Sequence, residues 1–318
     1  MVGTFVRIVS EIILPIFVLV GAGVAVERRF RLDVNTISKL TFYVFIPALL
    51  FTALTESRLE FDKLAVVAAF QVALILVMLA VSAVAAKAMR LSGALYSAFL
   101  LAGVFCNSAN FGIPLVQLAF PENPGTAVSY QAITIMVQNL LTFSLGLVIV
   151  NQGRGSMAES LRHTLRFPFL YVVVAALVLK YYDVPVMDWT WFWSPVKFAG
   201  DGLVAIALLT LGIQIAKTPK TAHVRALTAA NLVRLVAAPA AAFGLVWLSS
   251  RIGLLDFHSM LARLVVIAAA GPSAVNTVLI SLEFKSEPEF AAAAVFYSTL
   301  FSAISVTVTI FLVVTFML

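Results

Sequence analysis

The sequence predicts an all-α membrane protein with ten transmembrane helices, arranged as two inverted repeats of five helices each. Three observations lead to this fold class. Of the 318 residues, 62% are hydrophobic and only 11% are charged, whereas soluble domains carry about 25% charged residues. The apolar runs are too long and too uniform for the strands of a membrane barrel. The fourth and ninth runs are interrupted by the same kinds of residue, about half a chain apart.

Each half of the chain supplies five apolar runs that can cross a bilayer as helices. The predicted spans of the first half are residues 12–26, 37–54, 64–86, 95–120 and 126–150. Those of the second half are residues 167–182, 200–216, 226–248, 264–282 and 290–317. Because five is odd, the two halves enter the membrane from opposite sides. The predicted division is a first repeat at 1–152, a cytoplasmic linker at 153–166 and a second repeat at 167–318.

Lysine and arginine residues indicate the orientation of the spans. Connections on one side of the membrane hold thirteen of the 21 basic residues, those on the other side hold seven, and Arg234 lies within a span. Since cytoplasmic connections carry the excess, both termini are predicted to be non-cytoplasmic, in a plasma (inner) membrane. The net charge of +6 therefore belongs to span connections, and no nucleic-acid partner is expected.

The fourth and ninth spans are predicted to be broken helices. The segment Cys106–Pro114 places two asparagines, a serine, a glycine and a proline in mid-span, and the segment Gly271–Thr277 repeats this chemistry. Proline removes a backbone donor and glycine weakens a helix, and backbone groups left unpaired in hydrocarbon cost several kcal/mol each. Ser108 and Ser273 are 165 residues apart, about half the chain. Two interrupted helices at one repeat offset are typical of a transport site.

The polar side chains at these interruptions are the leading candidates for substrate binding. Half-helix N-termini attract anions, and asparagine and serine add uncharged hydrogen-bond donors. Gln131 and Tyr297 each follow an interruption asparagine by 21 residues and are expected to flank the site. The alternative for all these residues is ordinary hydrogen bonding between helices. The candidate binding residues are Asn107, Ser108, Asn110, Gly112, Pro114, Gln131, Pro272, Ser273, Asn276, Thr277 and Tyr297.

Arg234 is the only basic residue predicted to lie well inside a span. A charge within the membrane needs a partner, which could be Gln214, Asn231 or the carbonyl end of a half-helix. The guanidinium could instead balance a substrate carboxylate. No predicted span has a carboxylate near its middle, which argues against a proton pump built on buried aspartates. Coupling to H⁺ or Na⁺ stays open, and no cofactor is expected.

The chain does not have the residues of an intramembrane enzyme. Cys106 is the single cysteine, and the three histidines are too scattered for a metal site. Paired carboxylates, a serine–histidine pair or a metal set within the spans would be needed for catalysis. The sequence therefore predicts no catalytic residues and no metal site.

Three motifs resemble the auxin efflux carrier family, within the bile-acid-symporter-like superfold. Residues 107–115 resemble its fourth-helix motif, residues 271–277 look like its ninth-helix counterpart, and residues 45–51 are similar to its second helix. The resemblance covers essentially the whole chain. Long plant members have a large loop between the halves, where this chain has about fifteen residues. It is more similar to compact bacterial members, such as malonate or malate permeases.

The resemblance implies a structure and a mechanism. The broken helices would cross at the membrane midplane, with Pro114 and Pro272 marking the unwound parts. Spans 1, 2, 6 and 7 would form a scaffold and a homodimer interface, and spans 3–5 and 8–10 would form a transport domain. The transport domain would move against the scaffold in an elevator-like cycle. Asn110 and Asn276 would hold the carboxylate of the substrate.

The sequence thus predicts a secondary active transporter of small organic acid anions, working by alternating access in a lipid bilayer. One alternative is a sodium-coupled symporter of a bulkier amphipathic acid, such as a bile-acid-like anion. A membrane sensor that binds without transporting is less favoured, because no soluble signalling region is present in the sequence. Substrate identity and transport direction stay open at this point.

Overall fold

The all-α class is confirmed by a computed structural model, which describes residues 2–56, 61–151, 168–217 and 223–317. In these ranges every regular element is helical. The predicted linker at 153–166 lies outside the described residues.

The helices of the first half include two pairs that continue through a π-helical turn. The turn at Val9–Ile13 joins α1 to α2, and the turn at Thr41–Phe45 joins α3 to α4. The first-half helices are α1 (Val2–Ile8), α2 (Leu14–Phe30), α3 (Val34–Leu40), α4 (Ile46–Glu56), α5 (Phe61–Ala88), α6 (Gly93–Val104), α7 (Gly112–Ala119) and α8 (Pro124–Val150).

The second half contains one further π-helical turn, at Val233–Ala237, which joins α12 to α13. Gly202 alone separates α10 from α11. The second-half helices are α9 (Pro168–Tyr181), α10 (Thr190–Asp201), α11 (Leu203–Ala216), α12 (Val224–Leu232), α13 (Ala238–Arg251), α14 (Met260–Ala269), α15 (Asn276–Glu283) and α16 (Pro288–Phe316).

Seven helical stretches of the described chain are long and apolar enough to cross a membrane. They coincide with predicted spans one, two, three, five, seven, eight and ten. Of the other three, the sixth is the shorter helix α9, and the fourth and ninth are each split into two helices. The seven stretches are Gly3–Phe30, Thr36–Glu56, Asp62–Ala88, Pro124–Val150, Thr190–Ala216, Val224–Arg251 and Pro288–Phe316. The protein is therefore a multi-pass membrane protein, whereas the ten-helix inverted repeat stays a prediction.

Helices from the two halves pack together closely in two places. Helix α2 packs along α11, and α4 packs against α9 and α10. A Cβ atom at Gly23 would lie 2.2 Å from the carbonyl oxygen of Leu209, and one at Gly212 would lie 2.0 Å from that of Val20. Glycine at both positions lets the two backbones touch, as small residues do in membrane helix interfaces. These contacts connect span one with span seven, and span two with spans six and seven.

The distribution of side chains on α16 shows how the fold meets lipid. Phe301, Ile304 and Val308 form an exposed apolar stripe at helical spacing, while Ser302 and Thr309 face the interior. Apolar side chains outside and small polar side chains inside suit a helix surrounded by hydrocarbon on one face and by protein on the other.

Candidate functional site at the crossing of two broken helices

Both predicted interruptions are breaks between helices. Helix α6 ends at Val104 and α7 begins at Gly112, while α14 ends at Ala269 and α15 begins at Asn276. Phe105 has an extended backbone (φ −96°, ψ 129°), so the helical hydrogen-bond ladder stops there. The residues between the half-helices need other backbone partners, because hydrocarbon supplies none.

The two unwound segments provide those partners for each other. The backbone N–H of Asn107 donates to the carbonyl of Pro272 at 2.7 Å, and the N–H of Ala274 donates to the carbonyl of Phe105 at 2.9 Å. Cys106 and Ser273 thereby face each other as an isolated antiparallel bridge. The unwound segments of the two broken helices are therefore in contact, held by main-chain hydrogen bonds, and this contact is named the crossing.

The glycine and prolines of the motifs have structural roles at the crossing. A Cβ atom at Gly112 would lie 2.6 Å from Nε2 of Gln131, which donates to the carbonyl of Ser108 at 2.7 Å. Gly112 thus leaves room for the amide that braces the first unwound segment. Pro114 lies in the first turn of α7, where a missing N–H costs little. Pro272 supplies the carbonyl that Asn107 contacts.

Two other predicted binding residues direct their hydroxyls to backbone carbonyls. Ser273 Oγ donates to the carbonyl of Ala102 at 2.8 Å, and its N–H donates to Ser298 Oγ at 3.0 Å. Thr277 Oγ1 donates to the carbonyl of Ala274 at 2.6 Å. In the described conformation Ser273 joins the two broken helices, which is the alternative role foreseen for these residues, whereas the hydroxyl of Thr277 bonds within its own segment.

A cavity of about 20 Å³ lies at the crossing. Four of the predicted binding residues line it: Asn107, Ser108, Asn110 and Asn276. The remaining lining residues are Phe42, Cys106, Ala109, Gln138, Asn139, Thr142, Ala274 and Val275. Because this volume accommodates about one water molecule, the described conformation has no room for an organic acid at the site.

Tyr297 does not lie at this cavity. Its side chain is 39% exposed and lines a lateral groove of about 1550 Å³. The groove is bordered by side chains of α2, α11, α12, α13, α14 and α16, and most of them are apolar. The structure therefore separates Tyr297 from Gln131, although both follow an asparagine by 21 residues.

Amide groups at the crossing are incompletely hydrogen-bonded. Nδ2 of Asn107 and Oδ1 of Asn110 are buried without a partner among the described residues. Nδ2 of Asn276 donates to Oδ1 of Asn139 at 2.9 Å. A buried polar atom without a partner costs about 1–3 kcal/mol, so such atoms in one cavity suggest a place where a ligand supplies the missing bonds. Because these side-chain amides are uncharged and do not titrate, they suit ligand binding rather than acid–base chemistry.

The residues that sequence reasoning missed come mainly from α8. Gln138 Nε2 donates to the carbonyl of Cys106, while Gln138 Oε1 accepts from Cys106 Sγ at 3.2 Å and from Gln71 Nε2 at 2.9 Å. Asn139 holds Asn276, and Thr142 lies one turn beyond Gln138. The available signal was three polar residues within two turns of a membrane span, about two turns after the candidate Gln131.

Arg234 lies beside the crossing, outside the cavity lining. It is 2% exposed and sits in the π-helical turn between α12 and α13. Its Nη1 donates to the carbonyl of Val104 at 3.0 Å, and its Nη2 donates to the carbonyl of Ala269. Of the partners considered from the sequence, the structure pairs it with the carbonyl ends of the half-helices.

Among the residues that the structure describes, no three histidine, cysteine, aspartate or glutamate side chains are grouped closely enough to hold a metal ion. The cavity at the crossing contains the thiol of Cys106 but no carboxylate or imidazole. Its chemistry is that of amides, hydroxyls and a thiol.

Comparison with known families agrees with this architecture. A family model described as "Membrane transport protein" matches residues 8–161 and 154–310, which together span nearly the whole chain. Among curated proteins, no sequence matches. The broken-helix motifs, the membrane-spanning helices and the family match agree, and the chain belongs to the membrane transport protein family, also called the auxin efflux carrier family.

Proposed function

We propose that this membrane transporter is a secondary carrier of small organic acid anions, which bind at the crossing of the two broken helices. Family membership makes it a transporter in the membrane. The substrate class, the binding site and the alternating-access mechanism are proposed. The protein is not expected to catalyse a chemical reaction.

One observation carries the proposal: uncharged amides, two of them with unpartnered buried atoms, line a small cavity at whose edge the half-helix α15 begins. Nδ2 of Asn107 is an unpartnered buried donor, and α15 begins at Asn276, at the edge of the same cavity. Backbone amides at a half-helix N-terminus carry partial positive charge. Neutral donors together with partial charges suit an anion that must be bound and then released.

The walls of the cavity support an elevator-like movement. Phe42 lies in the π-helical turn between α3 and α4, so it lines the cavity from span two. The other walls of the cavity belong to spans four, five and nine. A cavity of about 20 Å³ has no room for an organic acid, so the cavity must widen to admit a substrate. We propose that it widens when the wall of span two separates from the others. The close packing of α2 on α11 and of α4 on α9 and α10 supports spans 1, 2, 6 and 7 as the scaffold.

Several parts of the proposal rest on the sequence and the family resemblance. They are a homodimer formed through the scaffold, non-cytoplasmic termini, residence in the plasma (inner) membrane and the ten-helix inverted repeat. Counterflow needs no driving ion, so this test of the proposal does not depend on which ion, if any, is coupled to net transport.

The lateral groove favours a second candidate function. A groove of about 1550 Å³ with apolar walls could accept the body of a larger amphipathic acid. The protein would then be a sodium-coupled symporter of a bile-acid-like anion. The groove also borders the exposed apolar stripe of α16, where lipid chains are expected, and the crossing therefore remains the favoured site.

Counterflow in proteoliposomes tests the proposed function. Vesicles are loaded with unlabelled malonate, malate, acetate, indole acetate or a bile acid, and uptake of a trace of the same labelled acid is followed. Exchange requires only that the acid is a substrate, whatever ion drives net transport. We expect transient accumulation of at least one acid, compared with protein-free vesicles. Accumulation of a bile acid alone would favour the second candidate, and no accumulation of any acid would contradict the proposal.

A further inference from the structure

Arg234 has the largest fully buried side chain among the described residues. Its two terminal nitrogens reach different half-helices, because Val104 is the last residue of α6 and Ala269 is the last residue of α14. One side chain on a third helix thus caps both broken helices at their carboxyl ends. These ends leave carbonyls without helical partners, and neither half-helix continues to supply one.

Arg234 has no carboxylate partner in the part of the chain that the structure describes. The ion pairs found there join Arg7 to Glu11, Lys197 to Glu56, Lys217 to Glu27 and His223 to Glu287. The Nε atom of Arg234 is buried without a hydrogen bond. A buried, unpaired cation would be costly in this setting, so another source of negative charge must balance it.

The half-helix ends supply that charge. A helix carboxyl end is equivalent to about half a negative charge, and two such ends together come to about one negative charge. The charge of Arg234 therefore balances the two ends it contacts. In many transporters with broken helices, the carbonyls at half-helix carboxyl ends coordinate a coupling cation instead.

From this geometry we infer that Arg234 is a built-in cation, which fills the position that a mobile coupling ion would otherwise take at the carboxyl ends of α6 and α14. This inference rests on the proposed carrier function. It adds that the positive charge of Arg234 neutralises the carboxyl ends of the two half-helices beside the substrate site. It assigns Arg234 as a positioning residue that holds the half-helix ends together and does not contact the substrate. The site then takes no sodium ion while the arginine is present.

Removing the arginine should create a vacancy that a small cation can fill. The full chain is purified in detergent, and its melting temperature is measured in sodium, potassium or choline chloride at equal ionic strength, with and without millimolar guanidinium chloride. For the native protein we expect the same melting temperature in all three salts and no gain from guanidinium. Arg234→Ala should melt about 10 °C lower, because a buried charge interaction is lost, and guanidinium or sodium should restore at least half of the loss.

Arg251→Ala is the matched control, since it removes the same side chain type near the end of α13. Arg251 is exposed and lies over the ring of Trp247 at 5.1 Å, so its loss should change the melting temperature little and guanidinium should restore nothing. If Arg234→Ala does not fold, Arg234→Lys retains a charge with fewer donors and should fold without gaining a sodium response.

Three results would overturn the inference. They are stabilisation of the native protein by sodium relative to choline, a folded Arg234→Ala protein that responds to neither guanidinium nor sodium, and a sodium response in Arg234→Lys. All three are readings of stability in the absence of any acid. The outcome is therefore independent of whether counterflow detects a substrate.

Discussion

Alanine at Asn110 or at Asn276 is expected to slow counterflow of the transported acid by about 10- to 100-fold. Each change removes an amide from the cavity at the crossing. Hydrogen bonds to a charged group contribute about 1.5–3 kcal/mol each, and every 1.4 kcal/mol changes an equilibrium about tenfold. The measurement is the initial rate of labelled exchange in proteoliposomes containing equal amounts of protein.

The two variants should differ in stability although both slow transport. Asn110 has an amide oxygen without a protein partner, so Asn110→Ala should melt close to the native temperature. Asn276 donates to Asn139 at 2.9 Å, and Asn276→Ala leaves that buried oxygen unpaired, at a cost of about 1–3 kcal/mol. A few degrees of destabilisation are therefore expected for Asn276→Ala alone.

Gln214→Ala is the control for both asparagine variants. Gln214 is an amide residue within the membrane-spanning stretch that includes α11, and its Nε2 donates to Ser38 Oγ at 3.3 Å, away from the crossing cavity. Its loss should leave exchange within about twofold of the native rate, as is usual for changes remote from a site. Full exchange by both asparagine variants would remove the crossing as the binding site.

Leucine at Gln138 is expected to destabilise the crossing by several kcal/mol. The amide of Gln138 joins the carbonyl of Cys106 to the amide of Gln71, and all three groups are buried. Gln138→Leu leaves Nε2 of Gln71 without a partner, at a cost of about 1–3 kcal/mol. It also removes one of the two hydrogen bonds that the Cys106 carbonyl accepts, the other being from the N–H of Ser108. The free energy of unfolding, measured with denaturant in detergent, should fall accordingly, and exchange should fall with it.

A double-mutant cycle distinguishes this hydrogen-bond chain from loss of packing. Gln71→Leu and Gln138→Leu should be less destabilising together than the sum of the two, with a coupling free energy of about 1 kcal/mol. The control cycle pairs Gln138→Leu with Gln214→Leu, which share no partner and should add within about 0.5 kcal/mol. Additive effects in the first cycle would show that Gln138 does not act through Gln71.

The breaks in the helices were predictable because they depend on local chemistry. Proline, glycine and asparagine in mid-span disfavour a continuous helix wherever the span lies, and both segments lie between helices in the structure. The long apolar spans were predictable for a similar reason, since seven of them need only length and composition. These features can be read without knowledge of neighbouring helices.

The contacts between helices could not be derived in the same way. In a span that is apolar on most faces, periodicity does not indicate which face meets a neighbour, so Gln138 and Asn139 gave no sign of contacting Cys106 and Asn276. The partner of Arg234 stayed open among three choices because the choice depends on distances. Equal spacing also suggested equivalent positions for Gln131 and Tyr297, but the face of α16 that carries Tyr297 borders the lateral groove.

The measurement that tests the central claim most directly is ligand-dependent thermal stability of the native protein and Asn110→Ala. Small mono- and dicarboxylates are added singly to each purified protein, with and without sodium. A ligand at a hundred times its dissociation constant adds about 2.7 kcal/mol to the folded state. The account predicts that one class of acid raises the melting temperature of the native protein and not that of Asn110→Ala. An equal rise in both proteins would place the acid elsewhere, and no rise with any acid would contradict a carboxylate site at the crossing.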